Sequence, residues 1–249
     1  MDLGLRGRRT LVTGGTRGVG RAVALAAARA GGRVVACYHR DETAAKSLQA
    51  ELDGIGGGHL VVRADVTTEA GAEHLAARCR DALGGLDALV NNLGVDASAG
   101  LAELEHPEWR RVLDANLTSM YLVTRAALAL LGDGGSIVNI GSSLAGRGAP
   151  DRAHYAASKA GVLGLTSSLS KELGPRGIRV NTVLPGFVDK PDEEKDGGGP
   201  PPQVRRRLAG MTALGRLARP DDVAGVVLFL AGDLSRAVTG ASIPVDCGV

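Results

Sequence analysis

Tyr155 and Lys159 are the two residues whose types and spacing best suit acid–base chemistry. They stand four residues apart in Tyr155-Ala-Ala-Ser-Lys159, and positions i and i+4 of a helix share a face. A free tyrosine titrates at about pH 10, and a nearby cation favours the phenolate and lowers the pKa. The pair therefore predicts a phenol that exchanges a proton with a substrate oxygen. The same spacing also arises by chance on ordinary helices, so other parts of the chain have to support this interpretation.

A glycine-rich turn near the start of the chain is predicted to bind phosphate. The apolar run Arg9 to Thr13 precedes Gly14-Gly15-Thr16-Arg17-Gly18-Val19-Gly20, and the helix formers Ala22 to Ala30 follow. This order indicates strand, turn and helix. Glycines let the backbone approach a phosphate, and the N–H groups of a helix N-terminus attract an anion. The turn suits the pyrophosphate of a dinucleotide, and an ordinary helix start is the alternative.

The end of the second predicted strand, 33–38, indicates which dinucleotide binds. A carboxylate there accepts a hydrogen bond from the ribose 2′-hydroxyl of NAD, whereas the 2′-phosphate of NADP needs positive charge. Tyr38 is followed by His39 and Arg40, and Arg17 in the glycine turn is aimed at the same region. These residues favour NADP(H) over NAD(H), with Arg40 as an ordinary surface arginine the alternative.

Strand-like and helix-like segments alternate along the chain, which predicts an α/β fold. The strands are continuous apolar runs, as expected for a parallel sheet covered on both faces. At this length one domain spanning 1–249 is expected. The predicted strands are 9–13, 33–38, 60–64, 86–91, 136–140, 178–184 and 241–245, and the predicted helices are 22–30, 44–52, 69–83, 106–131, 152–173 and 221–230.

Polar residues follow several predicted strands, at the edge of the sheet where ligands bind. Asp65 follows the third strand, Asn91-Asn92-Leu93-Gly94 ends the fourth, and Gly141-Ser142-Ser143 follows the fifth. Asp65 is placed either to accept a hydrogen bond from an adenine amino group or to cap the next helix. Asn116 lies within a predicted helix, where a buried amide needs a polar partner.

Composition argues against several other classes of function. The formal net charge of +2 is too small to attract nucleic acid or an anionic membrane, and no apolar run approaches the ~18 residues of a membrane span. Cys37, Cys79 and Cys247 are scattered without metal-ligand spacing, so neither a metal site nor a disulfide framework is expected. The N-terminus lacks the pattern of a targeting segment. We expect a cytoplasmic protein that binds neither nucleic acid nor membrane.

The segment 189–202 combines charge, glycine and proline without periodicity. This composition predicts a mobile loop over the substrate. An apolar substrate pocket is predicted beneath the loop, and ordinary core positions are the alternative for its residues. The predicted pocket residues are Val95, Leu144, Phe187 and Met211.

In chain order, these motifs resemble those of the short-chain dehydrogenase/reductase family. They are Thr13-Gly14-x-x-x-Gly18-x-Gly20, Asn91-Asn92-x-Gly94, Asn116, Ser142, Tyr155-x-x-x-Lys159 and Pro185-Gly186. The likeness covers nearly the whole chain and is greatest to 3-ketoacyl-carrier-protein reductases and polyketide ketoreductases. It implies a Rossmann-type doubly wound sheet of seven parallel strands and a homotetramer.

The resemblance also implies a catalytic tetrad of Asn116, Ser142, Tyr155 and Lys159. Tyr155 would protonate a carbonyl oxygen as hydride reaches the carbon, and Ser142 would hydrogen-bond that oxygen. Lys159 would lower the pKa of Tyr155 and hold the nicotinamide ribose, and Asn116 would hold a water that returns the proton. The residues expected to bind the cofactor are Thr13, Gly14, Arg17, Gly18, Val19, Gly20, His39, Arg40, Asp65, Val66, Asn91, Gly94, Tyr155, Lys159, Pro185, Gly186 and Val188.

Three positions depart from the family pattern. Leu93 stands where alanine is usual, Lys190 where threonine is frequent, and Cys247 where glycine is usual. The expected function is NADPH-dependent reduction of a ketone, either ketoacyl or polyketide-like, with alcohol oxidation as the reverse reaction. Two alternatives stay open, namely an NAD-linked alcohol dehydrogenase of the same fold and a non-catalytic dinucleotide-binding sensor.

Overall fold

Seven parallel strands form one sheet in a computed structural model that describes residues 3–189 and 201–249. Their order is β3-β2-β1-β4-β5-β6-β7, which confirms the predicted Rossmann-type fold. The strands are β1 Arg9–Val12, β2 Arg33–Tyr38, β3 Leu60–Arg63, β4 Leu86–Asn91, β5 Leu131–Ile140, β6 Arg179–Pro185 and β7 Ser242–Val245. The α-helices are α1 Gly18–Arg29, α2 Glu42–Ile55, α3 Glu69–Leu83, α4 His106–Leu113, α5 Ser119–Ala127, α6 Leu144–Arg147, α7 Ala153–Glu172, α8 Pro202–Gly210 and α9 Pro220–Ala231.

The strand order reverses beside β1, which pairs with β2 on one side and with β4 on the other. The chain first builds outward through β2 and β3 and then returns to start the other half of the sheet at β4. Such a reversal leaves a crevice beyond the carboxyl ends of the two central strands, because their following segments diverge to opposite faces of the sheet. The fold therefore sets the ligand site at the ends of β1 and β4.

Hydrophobic clusters cover both faces of the sheet. On one face, Val23 of α1 and Val227 of α9 are among the buried residues that pack with Val138 of β5. On the other, Leu75 of α3 and Val123 of α5 pack in a cluster with Leu89 of β4. Burial on both sides explains the apolar strands, because each strand residue faces one of the two helical layers.

The predicted helix 106–131 is wrong in its end, and it contains a π-helical segment that was not predicted. A π-helical segment, Asp114–Thr118, separates α4 from α5, and α5 ends at Ala127. β5 already begins at Leu131, which is buried and pairs with Leu86. The glycines that follow Leu131 do not favour a helix, and Gly134 adopts a φ of +79°.

Most of the predicted loop 189–202 lies outside the described residues. At its far end Pro202 opens α8, a position that proline suits because the first turn of a helix needs no donor there. Within the described ranges, no helix combines the length and the apolar character needed to cross a membrane.

Candidate active site

An open cleft with a volume of about 870 Å³ lies at the carboxyl ends of the central strands. It extends over the glycine turn, the end of β2, the segment after β4 and the catalytic candidates Tyr155 and Lys159. Pockets that bind small molecules and cofactors usually measure roughly 300–1,000 Å³. The predicted site residues that line it are Gly14, Arg17, Gly18, Val19, His39, Arg40, Asp65, Val66, Gly94, Val95, Ser142, Tyr155, Lys159, Pro185, Gly186, Phe187 and Val188.

The glycine turn is held tightly enough that glycine is required in it. Gly14 and Gly18 adopt φ angles of +60° and +51°, which disfavour residues with a side chain. A β-carbon on Gly20 would lie 2.3 Å from the Gly14 carbonyl oxygen. Asn92 Nδ2 donates to the carbonyl oxygens of Thr13 at 3.0 Å and Gly14 at 2.9 Å. The turn therefore presents the N-terminus of α1 to the cleft, where a pyrophosphate would be stabilised.

Two residues expected to contact a cofactor, Thr13 and Asn91, make hydrogen bonds within the protein through their side chains. Thr13 Oγ1 is buried and accepts hydrogen bonds from the backbone N–H groups of Asn92 at 2.9 Å and Leu93 at 3.0 Å. Asn91 is 1% exposed, and its Nδ2 donates to Thr124 and Asn139. Both side chains join the ends of strands beneath the cleft floor, so any contact of Thr13 or Asn91 with a cofactor would come from the backbone.

The end of β2 carries charges of both signs. Arg17 is 64% exposed and lies 3.9 Å from Asp41, while His39 lies 3.7 Å from Asp65. Asp41 Oδ1 also caps α2 by accepting from the N–H of Ala44 at 2.9 Å. Sequence reasoning missed this carboxylate, although its place directly after Arg40 was a signal.

Asp65 does not cap the next helix. Its carboxylate accepts from the backbone N–H and the hydroxyl of Thr67, at 3.1 and 2.6 Å, whereas Thr68 caps α3. Burial raises the pKa of Asp65, but the hydrogen bonds from Thr67 and the charges of His39 and Arg40 outweigh it and lower the pKa. An ionised acceptor thus faces the cleft.

Tyr155 lies on α7 and faces Ser142, which follows β5. Burial raises the pKa of Tyr155 above its ordinary value, while a hydrogen bond with Ser142 and the charge of Arg152 oppose the rise. The expectation of a lowered pKa is therefore wrong for the protein on its own, because burial outweighs the groups that stabilise the phenolate. The phenol is held protonated at neutral pH, which is the form that donates a proton.

Lys159 is buried, and its Nζ donates to the Ile140 carbonyl at 2.9 Å. Burial lowers its pKa to about 8, and the charge of Asp96 opposes this effect. A β-carbon on Gly94 would lie 3.2 Å from Nζ and 3.1 Å from Asn116 Oδ1. Glycine at 94 therefore leaves the space in which the ammonium and the amide lie side by side.

Asn116 lies in the π-helical segment and is fully buried. Its Oδ1 accepts from the Val95 N–H at 2.7 Å, and its Nδ2 donates to the Val95 carbonyl at 3.1 Å and to Ser158 Oγ at 3.0 Å. Both donors of the amide are engaged, so the side chain fixes the segment after β4 against α7. The sequence indicated that this amide needs a polar partner, but it did not identify Val95 and Ser158 as the partners.

The predicted substrate residues separate into two groups. Val95 and Phe187 line the cleft. Leu144 is half-buried at the start of α6, Met211 is 56% exposed at the end of α8, and neither is part of the cleft lining among the described residues. Leu208 and Leu217 line it instead, which sequence spacing alone did not distinguish.

The three positions that depart from the family pattern differ in their structural surroundings. Leu93 lines the cleft and also packs against a core cluster. Cys247 has a φ of 58°, the left-handed conformation in which glycine is at ease. Lys190 lies outside the described residues.

The cleft fits a dinucleotide on geometric grounds. Its glycine turn has no room for a β-carbon at Gly15 or Gly20. One end of the cleft holds a charged region beside β2, and the other holds the tyrosine and the lysine of α7. No group of three or more histidine, cysteine or acidic residues within 3–189 and 201–249 is arranged to hold a metal ion.

Comparisons with known proteins agree with this geometry. A sequence profile described as enoyl-(acyl carrier protein) reductase matches residues 14–249. The chain is 38% identical over 242 residues to a 3-oxoacyl-[acyl-carrier-protein] reductase of Synechocystis, covering 96% of this chain and 95% of that protein. It is 37% identical over 245 residues to an L-rhamnose 1-dehydrogenase (NAD(P)(+)) of Azotobacter vinelandii, with 96% and 95% covered.

Solved structures are similarly close. A short-chain dehydrogenase from Burkholderia cenocepacia in complex with NADP superposes with a TM-score of 0.92 at 34% identity, covering 98% of both chains. A short-chain dehydrogenase/reductase from Serratia marcescens gives a TM-score of 0.92 at 33% identity, again with 98% of both chains covered.

Proposed function

The chain belongs to the short-chain dehydrogenase/reductase family of oxidoreductases, and on this premise we propose that it is an NADPH-dependent carbonyl reductase. The observation that carries the proposal is the meeting of Ser142, Tyr155 and Lys159 in one cleft with the glycine turn. A dinucleotide-binding sensor would need the turn but not a buried ammonium beside a protonated phenol. The proposed tetrad is Asn116, Ser142, Tyr155 and Lys159.

The proposed cofactor is NADP(H), which would supply a hydride to the carbonyl carbon when bound. Gly14, Gly18 and Val19 line the part of the cleft suited to the pyrophosphate. At the end of β2, Arg17, His39 and Arg40 carry or can acquire the positive charge that a 2′-phosphate needs. The solved Burkholderia relative with NADP supports this choice.

Ser142 and Tyr155 would act on the substrate oxygen. Negative charge develops on that oxygen during reduction, so donors that are already in place lower the barrier. Tyr155 would then give its proton to the oxygen as the general acid. Lys159 would face the ribose beside the reacting carbon and keep positive charge next to the phenol as it loses the proton. Asn116 would hold the Val95 segment against α7.

The proposed substrate is a ketone of the ketoacyl or polyketide type. The apolar residues Val95, Phe187, Leu208 and Leu217 line the cleft and suit an acyl chain. The 38% identical 3-oxoacyl-[acyl-carrier-protein] reductase supports the same class.

Oxidation of an alcohol with NAD is the second candidate. The carboxylate of Asp41 near Arg17 favours it, because a carboxylate at the adenosine end accepts from a ribose 2′-hydroxyl and repels a phosphate. The relative named L-rhamnose 1-dehydrogenase (NAD(P)(+)) supports an alcohol substrate.

A cofactor and substrate panel separates these candidates. The protein should oxidise NADPH in the presence of acetoacetyl thioesters or simple diketones, with lower kcat/KM for NADH. Turnover with sugars and NAD, and none with ketones, would favour the second candidate. Tight NADPH binding without turnover of any carbonyl or alcohol would favour a sensor.

We further propose a homotetramer in the cytoplasm. On α7 the outward residues Ala157, Ala160 and Gly164 are exposed and small, which permits close packing against another helix. On the neighbouring helix α5, Met120 and Val123 are buried within this chain and are not available for such a contact. Light scattering should give about four times 25.4 kDa, and a fully active monomer would contradict the assembly.

A further inference from the structure

Asp96 and Arg152 form an ion pair between the segment after β4 and the start of α7. Arg152 is the residue directly before α7, and Tyr155 follows three positions later, about one helical turn along. Asp96 lines the cleft that Tyr155 also lines. The pair therefore joins the segment after β4, which forms one wall of the cleft, to the N-terminus of the helix that carries Tyr155 and Lys159.

Backbone contacts fix the same junction. Arg152 Nη1 also donates to the Ala97 carbonyl at 3.1 Å, and the Ala99 N–H donates to the Asp151 carbonyl at 2.9 Å. Asp151 adopts a φ of 59°. This left-handed conformation costs free energy and persists only where the surrounding structure enforces it. At the other end of this wall, the Asn116 side chain makes two hydrogen bonds with the backbone of Val95. The wall is thus attached at both ends, and Arg152 provides the only side-chain attachment of Asp96 recorded among the described residues.

The two charges act on Tyr155 in opposite directions. Asp96 raises the pKa of Tyr155 and Arg152 lowers it. Asp96 also raises the pKa of Lys159. Beyond these, the charged or titratable groups of the described chain that face the cleft from its other elements are Arg17, Cys37, Tyr38, His39, Arg40, Asp41, Asp65, Arg111 and Asp114, and His154 lies buried next to Tyr155 in the sequence of α7.

We propose that Asp96 and Arg152 are positioning residues for Tyr155: their ion pair holds the cleft wall against the start of α7 and keeps two opposite charges near the phenol. In the intact ion pair, Asp96 and Arg152 act on the pKa of Tyr155 in opposite directions. Asp96 favours the protonated phenol and the protonated amine, the forms suited to carbonyl reduction. Only this catalytic consequence rests on the proposed function, because the ionisation of Tyr155 can be observed without cofactor or substrate.

The test is an ultraviolet titration of phenolate absorbance in the cofactor-free protein. The chain has three tyrosines, and subtraction of the Tyr155→Phe spectrum isolates Tyr155. Asp96→Asn should lower the apparent pKa by about 0.2–0.7 pH unit, the size expected for partly exposed charges. Arg152→Gln should raise it, and Arg152→Lys should restore most of the wild-type value. Since Asp96 is 70% exposed, added salt should shrink both shifts.

A matched control pair is available far from the cleft. Arg176 lies 3.2 Å from Asp133 at the amino-terminal edge of the sheet, and it too donates to a backbone carbonyl, that of Leu131. Asp133→Asn and Arg176→Gln should leave the Tyr155 titration unchanged.

Opposite shifts for Asp96→Asn and Arg152→Gln, absent in the control pair, support the proposal. Shifts in the same direction, or no shift in either variant, overturn it, since a merely structural pair would not move the titration in opposite directions. The pH profile of alcohol oxidation should follow the same order. If the titrations shift as expected but Tyr155→Phe keeps full activity, the proposed function fails while the electrostatic assignment stands.

Discussion

Lys159 Nζ lies 5.9 Å from the centroid of the Tyr155 ring. The ammonium is thus near the phenol, while its hydrogen bond goes to the Ile140 carbonyl at 2.9 Å. One buried cation fixed to the end of β5 can serve both the tyrosine and a ribose in the cleft. The buried ammonium of Lys159 therefore affects both the stability of the folded protein and the chemistry proposed for the cleft.

Tyr155→Phe tests the proton donor. The change removes one oxygen and keeps the ring, so packing and NADPH affinity should be retained while kcat falls by about 10²–10⁴-fold. Steady-state kinetics and fluorescence titration with NADPH give the two values. Tyr121→Phe, which alters an exposed tyrosine, should be neutral. If Tyr155→Phe keeps most of kcat, the assignment of the tyrosine is wrong.

Lys159→Met tests the cost of the buried ammonium. The folded-state pKa of about 8 is below the ordinary 10.5, so the unfolded state binds more protons between these pH values. Stability therefore rises with pH across that window, and the penalty is fully present below about pH 8. Its size is on the order of 3 kcal/mol, less about 1 kcal/mol for the lost hydrogen bond.

The variant should therefore melt several degrees above wild type at pH 7, with the gap closing towards pH 10. Turnover should be lost at the same time. Calorimetry across this range checks the sign, with the exposed Lys171→Met on the same helix as the control. A gap that widens with rising pH would contradict the burial argument.

The double variant Arg17→Ala with Arg40→Ala tests cofactor choice. Each charge-assisted contact to a phosphate is worth roughly 1.5–3 kcal/mol, so the loss of two contacts should lower NADPH affinity by at least about a hundredfold while NADH affinity changes little. The double variant Arg6→Ala with Arg29→Ala removes two exposed arginines outside the cleft lining and so controls for net charge. Equal affinity of wild type for NADH and NADPH would refute the NADP proposal.

Cys247→Gly tests the left-handed backbone near the C-terminus. A non-glycine residue at a φ of 58° carries a cost of about 1 kcal/mol, so the glycine variant should melt about 2–4 °C higher. Cys247→Ala keeps the β-carbon and should show no such gain. A loss of stability in the glycine variant would mean that the thiol makes a compensating contact.

The fold could be predicted from the sequence, as could many of the residues that the structure brings together in the cleft, because both depend largely on local patterns. Apolar strands, glycine turns and the Tyr155 to Lys159 spacing each follow from chain geometry over a few residues. What the sequence did not predict depends on tertiary contacts. The π-helical segment around Asn116 forms where the amide bonds Val95 and Ser158, partners that are distant in sequence.

Burial is the second property that the sequence did not indicate. Thr13 and Asn91 have the residue types of ligand contacts, but they lie beneath the cleft floor. For Tyr155 the sequence shows the neighbouring cation and not the desolvation that raises its pKa. Met211 is apolar yet exposed, because pocket membership depends on the orientation of α8 rather than on residue type.

Transfer of deuterium from NADPH that carries deuterium at both C4 positions of the nicotinamide tests the central claim most directly, because either face of the ring then delivers a labelled hydride. Reduction of an acetoacetyl thioester or a diketone should give an alcohol with one deuterium on the carbinol carbon, detected by mass spectrometry, and the Tyr155→Phe variant should give almost none. An unlabelled alcohol, or NADPH binding without any alcohol formed across the panel, would contradict hydride transfer to a carbonyl in this cleft.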